Sequence, residues 1–275
     1  MNIEGIPMND VVIVTTWQRE ELLWLCLEAI RRDDPSIPIS VYSDRAQNSA
    51  DLRKACATFD ANLRIQIPHS NYGNSFNLLS ACSAMTALDY EIIHLIEDDT
   101  IIHKGYLAWA REELTNGFVY DVSPKFYAAV CGRIPSPHIP NWYESPCASW
   151  NAACLRTALG HIVPEYFSGD VKQMLKALDE TMFPNSKYKR GGSEQDGYFL
   201  RCIEHHGWKT LFPPKPLATH AGGWGYNSHR KRPEGTFEER IEWCRKMLTN
   251  KEMRKGFFGS SITDREMAAW DGKTI

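Results

Sequence analysis

Short apolar runs alternate with helical periodicity through the first hundred residues. Val11-Val12-Ile13-Val14 is a continuous β-branched run, the pattern of a strand buried on both faces. From Glu20 to Arg31, Leu22, Leu23, Leu25, Cys26, Ala29 and Ile30 recur at helical spacing. Pro35 and Pro38 interrupt the pattern, and Ile39 to Tyr42 predicts a second strand. A helix is expected over residues 48–59 and a third strand over 63–67, closed by Pro68. After the turn-forming Asn71-Tyr72-Gly73-Asn74, a helix is expected over 75–88 and a fourth strand over 91–96. A further helix covers about 105–114. Strands and helices in this order, joined by short connections, predict an α/β fold whose largely parallel sheet carries helices on both sides. Ligands of such sheets bind at the carboxyl ends of the strands. Thr15-Thr16, Ser43-Asp44 and Asp98-Asp99 all fall at such ends, so three polar clusters should face one crevice.

Beyond Asn116 the chain becomes richer in Pro, Gly, Trp and Tyr, with Pro135, Pro137, Pro140, Trp142, Tyr143 and Pro146 close together. Loops of this kind on a rigid scaffold usually set substrate selectivity. Helices are expected over residues 151–159, 169–178, 194–206 and 236–248, with a short strand at 210–212. No repeat or linker interrupts the chain, so residues 1–275 are expected to form a single domain.

Composition adds limits rather than identity. The chain is 43% hydrophobic and 24% charged, with a formal net charge of -3, an ordinary balance for a globular protein. That charge argues against strong nonspecific nucleic-acid binding but not against a local basic patch. Eight cysteines occur without a CxxC pair, mostly in apolar surroundings, which predicts reduced, buried thiols. No run approaches the roughly 18 apolar residues of a spanning helix, and no basic leader precedes an apolar stretch. The expectation is a cytoplasmic protein, or one of the host cytoplasm if its source is viral.

Glu97-Asp98-Asp99 follows the fourth strand without a break. Adjacent carboxylates at a strand end form a hard, oxygen-rich site suited to Mg²⁺ or Mn²⁺. The alternative is a solvated acidic turn capping the next helix. VVIVTTWQRE, VYSD, NYGNSFN and LIEDDT, in this order and spacing, resemble the nucleotide-binding half of GT-A glycosyltransferases, notably the large family-2-like group. The resemblance implies a donor half over about 8–115 and an acceptor half over about 116–275. It implies a nucleotide-diphosphate sugar, such as a UDP-sugar, as donor and a DxD-type metal motif. By resemblance Asp99 is a metal ligand, and Asp98 or Glu97 contacts ribose or metal. Asp44 contacts the base, and Thr15, Thr16 and Arg19 close the first strand against the donor. Asn74 and Asn77 stand in a segment where the family often carries an Arg for the phosphate or base.

Gly191-Gly192-Ser193-Glu194-Gln195-Asp196 opens a helix and is followed by Arg201 and Gly207-Trp208. This resembles the acidic motif of inverting GT-A enzymes, in which a carboxylate is the general base that takes the acceptor hydroxyl's proton. Asp196 is the expected base and Glu194 the alternative. Ser193 as a cap with acidic residues in the first turn also suits any helix start. His220, before a Gly-rich loop, fits the family's further metal ligand. The segment Trp150 to Leu155 resembles the acceptor side, where Trp142 and Trp150 would flank a sugar or base; the alternative for both is ordinary core packing beside a Pro-rich loop. Two basic-aromatic clusters, Lys187-Tyr188-Lys189-Arg190 and Tyr226 to Arg232, flank the site in sequence. They point to anionic ligands: Arg230 on the donor diphosphate, and a nucleic acid among the acceptors. A hydroxylated base in DNA, as in phage-type modification, is one acceptor, and a glycan is the other. Two further readings keep parts of this pattern. One is a nucleotidyltransferase or sugar-phosphate pyrophosphorylase, disfavoured because Thr15-Thr16-Trp17-Gln18-Arg19 lacks a Gly- and Lys-rich phosphate loop. The other is a non-catalytic nucleotide- or carbohydrate-binding protein.

Overall fold

In the computed structural model, residues 9–44, 49–66, 73–119, 127–132, 143, 147–162, 171–186, 195–221, 231–250 and 252–253 are described. The first half follows its hydrophobic pattern. β1 (Asp10–Thr16) is buried at every position, as a run of β-branched residues at the centre of a sheet requires. α1 (Glu20–Asp33) carries Glu20 and Glu21 in its first turn and Arg31 and Arg32 in its last, which complements the helix dipole. β2 (Ile39–Asp44), α2 (Ala50–Thr58), β3 (Asn62–Gln66), α3 (Gly73–Thr86) and β4 (Ile92–Glu97) complete the alternation. Ser49 caps α2, its Oγ accepting from Leu52 N at 3.1 Å.

The second half adds β5 (Thr100–Ile102), α4 (Tyr106–Val119), β6 (Tyr127–Cys131), β7 (Cys147–Asn151), α5 (Ala152–Leu159), α6 (Val171–Thr181), α7 (Gln195–His205), β8 (Lys209–Leu211), β9 (Ala218–His220) and α8 (Phe237–Thr249). The main sheet has seven strands in the order β3-β2-β1-β4-β7-β6-β8. β3, β2, β1 and β4 are parallel, β7 runs against both β4 and β6, and β8 is parallel to β6. The sheet is thus mostly parallel, as expected, with one reversed strand near its centre. β5 and β9 form a separate antiparallel pair. The pattern did not announce β5, β6, β7 or β9.

Helices cover both faces. One core packs α1, α2, α4 and α8 under the sheet through Leu22, Cys26, Leu52, Leu107 and Met247. The other packs α3, α5, α6 and α7 over it through Leu78, Cys82, Leu155, Leu175 and Phe199. None of the eight cysteines is in a disulfide, and all are buried. Among the described residues no helix is long and apolar enough to cross a membrane.

The amino-terminal part of the sheet is tied by buried polar groups. His94 on β4 is fully buried and places Nε2 3.0 Å from Asp10 Oδ2 and Nδ1 2.6 Å from Ser149 Oγ. Tyr106 OH lies 2.7 Å from the same Ser149 hydroxyl, and Arg111 donates to Asp10 at 2.6 Å and to Asp34 at 2.5 Å. Burial lowers the His94 pKa despite its carboxylate partner, so the imidazole stays neutral. These groups join β1, β4, β7 and α4 and hold the strands whose far ends carry the candidate site.

Candidate active site

β1, β2 and β4 end together. Thr16 pairs in register with Ser43, and Thr15 with Glu97. The expected convergence of Thr15-Thr16, Ser43-Asp44 and the acidic cluster is therefore present. Within the cluster the three carboxylates have different surroundings. Asp98 is fully buried: its Oδ2 accepts from Thr16 Oγ1 at 2.7 Å and Trp17 N at 3.3 Å, and its Oδ1 pairs with Arg19. It locks the end of β1 to the end of β4, and Thr16 and Arg19 serve that lock. Asp99 is 2% exposed and receives Arg19 Nη1 on Oδ2 at 2.5 Å, while its Oδ1 lies 3.2 Å from His220 Nε2.

His220 reaches this point through long-range pairing. Thr100 pairs with His220 across β5 and β9, and Ala221 N donates to Asp99 O at 2.6 Å. Leu217 N donates to Gly132 O at 2.7 Å, which hooks β9 to the end of β6. Gly132 permits this approach: a Cβ there would lie 2.9 Å from Cys147 Sγ and 3.0 Å from both Ala218 Cβ and Tyr106 Cε2. Gly132 is a supporting residue that the sequence pattern did not single out.

One ligand atom each from Glu97, Asp99 and His220 lie within 4.8 Å of one another. The Asp99–His220 separation of 3.2 Å is close to the ~3 Å expected between adjacent ligands of a cation bound at about 2.1 Å. Two carboxylates and an imidazole match Mn²⁺ or Mg²⁺ with open positions for phosphate oxygens. Glu97 therefore joins the candidate cation set, while Asp98 supports it from behind. Burial, then the neighbouring Asp99, pushes the Glu97 carboxyl up to about 7. Burial likewise raises Asp98 to about 6, against the pull of Arg19. A cation placed among these groups would relieve that crowding of negative charge.

The remaining expected residues fall around this cluster. Asp44 ends β2 and is 6% exposed. Thr15 is buried, with no hydrogen-bond partner for its Oγ1 among the described residues. Asn77 on α3 donates Nδ2 to Tyr42 O at 3.0 Å, which fixes α3 to β2, and its buried Oδ1 has no partner among the described residues. Asn74 lies in the first turn of α3, and its side chain is outside the described residues. Asp196 stands in the first turn of α7, close enough that its charge helps to raise Glu97. Arg201 holds α7 to α6 by donating to both carboxylate oxygens of Asp179, at 2.6 and 3.0 Å. Glu194, Trp142, Arg230 and the cluster at 187–190 lie outside the described residues.

Two expectations are corrected. Trp150 does not flank a ligand: it is fully buried, packs on Phe199 at 5.0 Å and donates Nε1 to Tyr143 OH at 3.0 Å. The segment that begins with Trp150 starts at the end of β4 away from the acidic cluster. β7 is antiparallel to β4, so Asn151 pairs with Ile92, at the end of β4 away from Glu97. Arg232, in the expected diphosphate loop, is engaged instead by Glu20 and Glu21 on α1.

The family model described as "Glycosyltransferase like family 2" matches residues 9–119, the segment that carries β1 to α4. The segment from β1 to α4, less than half of the chain, is thus similar to family-2-like glycosyltransferases. Among solved structures, the chain is similar to the mannosyltransferase PcManGT from Pyrobaculum calidifontis in complex with GDP-Man and Mn²⁺, with 12% identity, 97% of this chain and 69% of that chain covered, and a TM-score of 0.44. It is also similar to S. aureus TarS in complex with UDP-GlcNAc, with 13% identity, coverage of 96% and 78%, and a TM-score of 0.48. A cytidylyltransferase from Leptospira borgpetersenii gives 9% identity, coverage of 93% and 99%, and a TM-score of 0.46. The likeness to glycosyltransferases rests on that segment. No curated protein matches the chain.

Proposed function

We propose that this enzyme is a metal-dependent, inverting glycosyltransferase that moves a sugar from a nucleoside diphosphate to an acceptor hydroxyl. The observation that carries the proposal is the meeting of Glu97, Asp99 and His220, with Asp196 close by. The three ligands would hold Mn²⁺ or Mg²⁺, which supplies positive charge to the diphosphate as the sugar bond breaks. Asp44, with Thr15, Asn74 and Asn77, borders the nucleoside side, and Arg230 is assigned to the diphosphate. Asp196 takes the proton from the attacking hydroxyl, with Glu194 the second choice for that role.

The first turn of α1 argues against the nucleotidyltransferase reading. Enzymes that cradle phosphate at the end of their first strand use free backbone N–H groups at a helix start. Here that turn carries Glu20 and Glu21, tied down by Arg232. Charge neutralisation of a diphosphate falls instead to a cation held by the cluster at the end of β4.

For the acceptor, the two basic-aromatic clusters support a hydroxylated base in DNA, with a glycan as the second reading. The test is a panel of nucleotide sugars with Mn²⁺, followed by mass measurement of products on hydroxymethylated DNA and on oligosaccharides. Sugar-sized mass added to an acceptor supports transfer and names the acceptor class. No turnover of any donor, with or without acceptor, refutes the enzymatic reading, and nucleotide added to a sugar phosphate favours the nucleotidyltransferase.

A further inference from the structure

Arg19, Glu20 and Glu21 are consecutive but serve two different parts of the molecule. Arg19 pairs with Asp98 and Asp99. Its carbonyl also starts α1, accepting from Leu22 N at 3.0 Å and Leu23 N at 2.9 Å. Glu20 and Glu21 receive Arg232 from the far end of the chain. Arg232 Nε donates to Glu21 Oε1 at 2.6 Å, and its Nη2 donates to Glu20 Oε2 at 2.6 Å and to Glu21 Oε2 at 2.5 Å. The Glu21 side chain is 0% exposed. A carboxylate buried to that degree is stable only with partners, and Arg232 donates to both of its oxygens.

Other contacts bolt the same turn. Ser49, the cap of α2, donates Oγ to Glu20 Oε1 at 2.8 Å. Arg240 on α8 places Nε 3.6 Å from Glu21 Oε1 and Nη2 2.8 Å from Asp51 Oδ2. Just before Arg19, Gln18 sits at φ 57°, a left-handed conformation that a non-glycine residue keeps only when its surroundings enforce it. The Arg19 guanidinium is thus aimed at the carboxylates by a strained turn on one side and an ion-pair network on the other. It occupies Asp99 Oδ2 and leaves Oδ1 beside His220.

We infer that Arg232 is a positioning residue for the cation site: through Glu20 and Glu21 it holds the first turn of α1, and so keeps Arg19 on Asp98 and Asp99. This role rests on reading Glu97, Asp99 and His220 as the cation ligands. Arg232 touches neither donor nor cation in this arrangement, because its guanidinium is already spanned by two carboxylates. Partners that orient metal ligands typically change metal affinity by about 10- to 100-fold when removed.

The test is Mn²⁺ binding, read from the electron paramagnetic resonance of free Mn²⁺ titrated with the full chain. Wild type, Arg232→Gln, Arg232→Lys, Arg19→Gln and the double variant Arg19→Gln/Arg232→Gln are compared, with thermal melts beside them. Arg232→Gln should weaken Mn²⁺ binding about 10-fold. Arg232→Lys, which keeps the charge and supports folding, should fall between, since a point charge spans two carboxylates less well than a guanidinium fork. In the Arg19→Gln background, Arg232→Gln should add less than about twofold, because both act on one chain of contacts. Full additivity would overturn the inference, and so would Mn²⁺ affinities of both Arg232 variants equal to that of wild type. Failure of the wild type itself to bind Mn²⁺ would remove the cation reading and this role with it, and it is told apart by appearing in the unsubstituted protein.

Discussion

The two ends of the candidate site are built in different ways. On the donor side, Thr15, Thr16, Asp44 and the acidic cluster sit at the ends of adjacent parallel strands, each delivered by its own run of buried residues. From the second half of the chain, His220 arrives at the cation cluster through a three-residue strand pairing and Asp196 through the first turn of a distant helix. The donor edge is therefore set by the sheet register, whereas the other side depends on long-range packing around Gly132, β9 and α7. Changes on the donor side should act on cation and donor directly. Those on the other side, His220 apart, should separate transfer from binding, or stability from both.

The largest effect is expected from Asp99→Asn. Removing one ligand charge should cost several kcal/mol of charge stabilisation, a loss on the order of 10³-fold in donor turnover measured with saturating acceptor. Asp196→Asn should sharpen the contrast: transfer falls by about 10²- to 10⁴-fold, as for a lost general base, while donor affinity by calorimetry stays within about twofold. Donor affinity lost together with transfer would move Asp196 to the cation side.

Acidity should act through the same carboxylates. Glu97 is raised to about 7 and Asp98 to about 6 by burial among neighbouring charge, so both hold protons that a free carboxylate would have lost. Mn²⁺ must displace protons from this cluster, so its affinity should fall as pH drops below about 7, by up to about tenfold per unit for each proton displaced. Stability runs the other way without metal. A carboxyl that holds its proton more tightly when folded stabilises most below its unfolded pKa, and that contribution is lost as pH rises through the folded value. The melting temperature of the metal-free protein should therefore decline between about pH 5 and 7, and Mn²⁺ should restore it at pH 7. A flat profile with and without Mn²⁺ would show that the acidic cluster is not crowded in solution.

Gly132→Ala tests the supporting side. Its new methyl would press on Cys147, Ala218 and Tyr106, costing about 1–3 kcal/mol and displacing β9. Thermal melts should register the first effect and weakened Mn²⁺ binding the second. Trp150→Phe should have the smallest functional effect. It removes a donor to Tyr143 at a buried site, lowering stability by about 1–3 kcal/mol, with Michaelis constants for donor and acceptor within about twofold of wild type. A selective rise in the acceptor's Michaelis constant would return Trp150 to the binding surface.

The donor half was legible because its strands are continuous apolar runs whose polar ends fall at the sheet edge. Position told more than chemistry: Thr16, Arg19 and Asp98 are all at the site, yet they bond one another, a pairing across some eighty residues that spacing does not reveal. The other half was harder to read. β7, Cys-Ala-Ser-Trp-Asn, shows neither alternation nor a β-branched run, and it is buried because strands flank it on both sides. Without that strand, Trp150 read as an aromatic flanking a sugar or base as readily as a core residue. His94 gave no signal either, since one polar residue inside a buried strand becomes meaningful only when Asp10 and Ser149 meet it. Arg232 read as part of a phosphate-binding loop because its partners lie more than two hundred residues away.

The most direct test of the cation cluster is calorimetric titration of a nucleoside diphosphate into wild type and Asp99→Asn, each with Mn²⁺ and with EDTA. The account predicts binding to the wild type with Mn²⁺, and little or none in EDTA or in Asp99→Asn under either condition. Equal affinity in all four titrations would contradict it, because the diphosphate would then be held without the cluster of Glu97, Asp99 and His220.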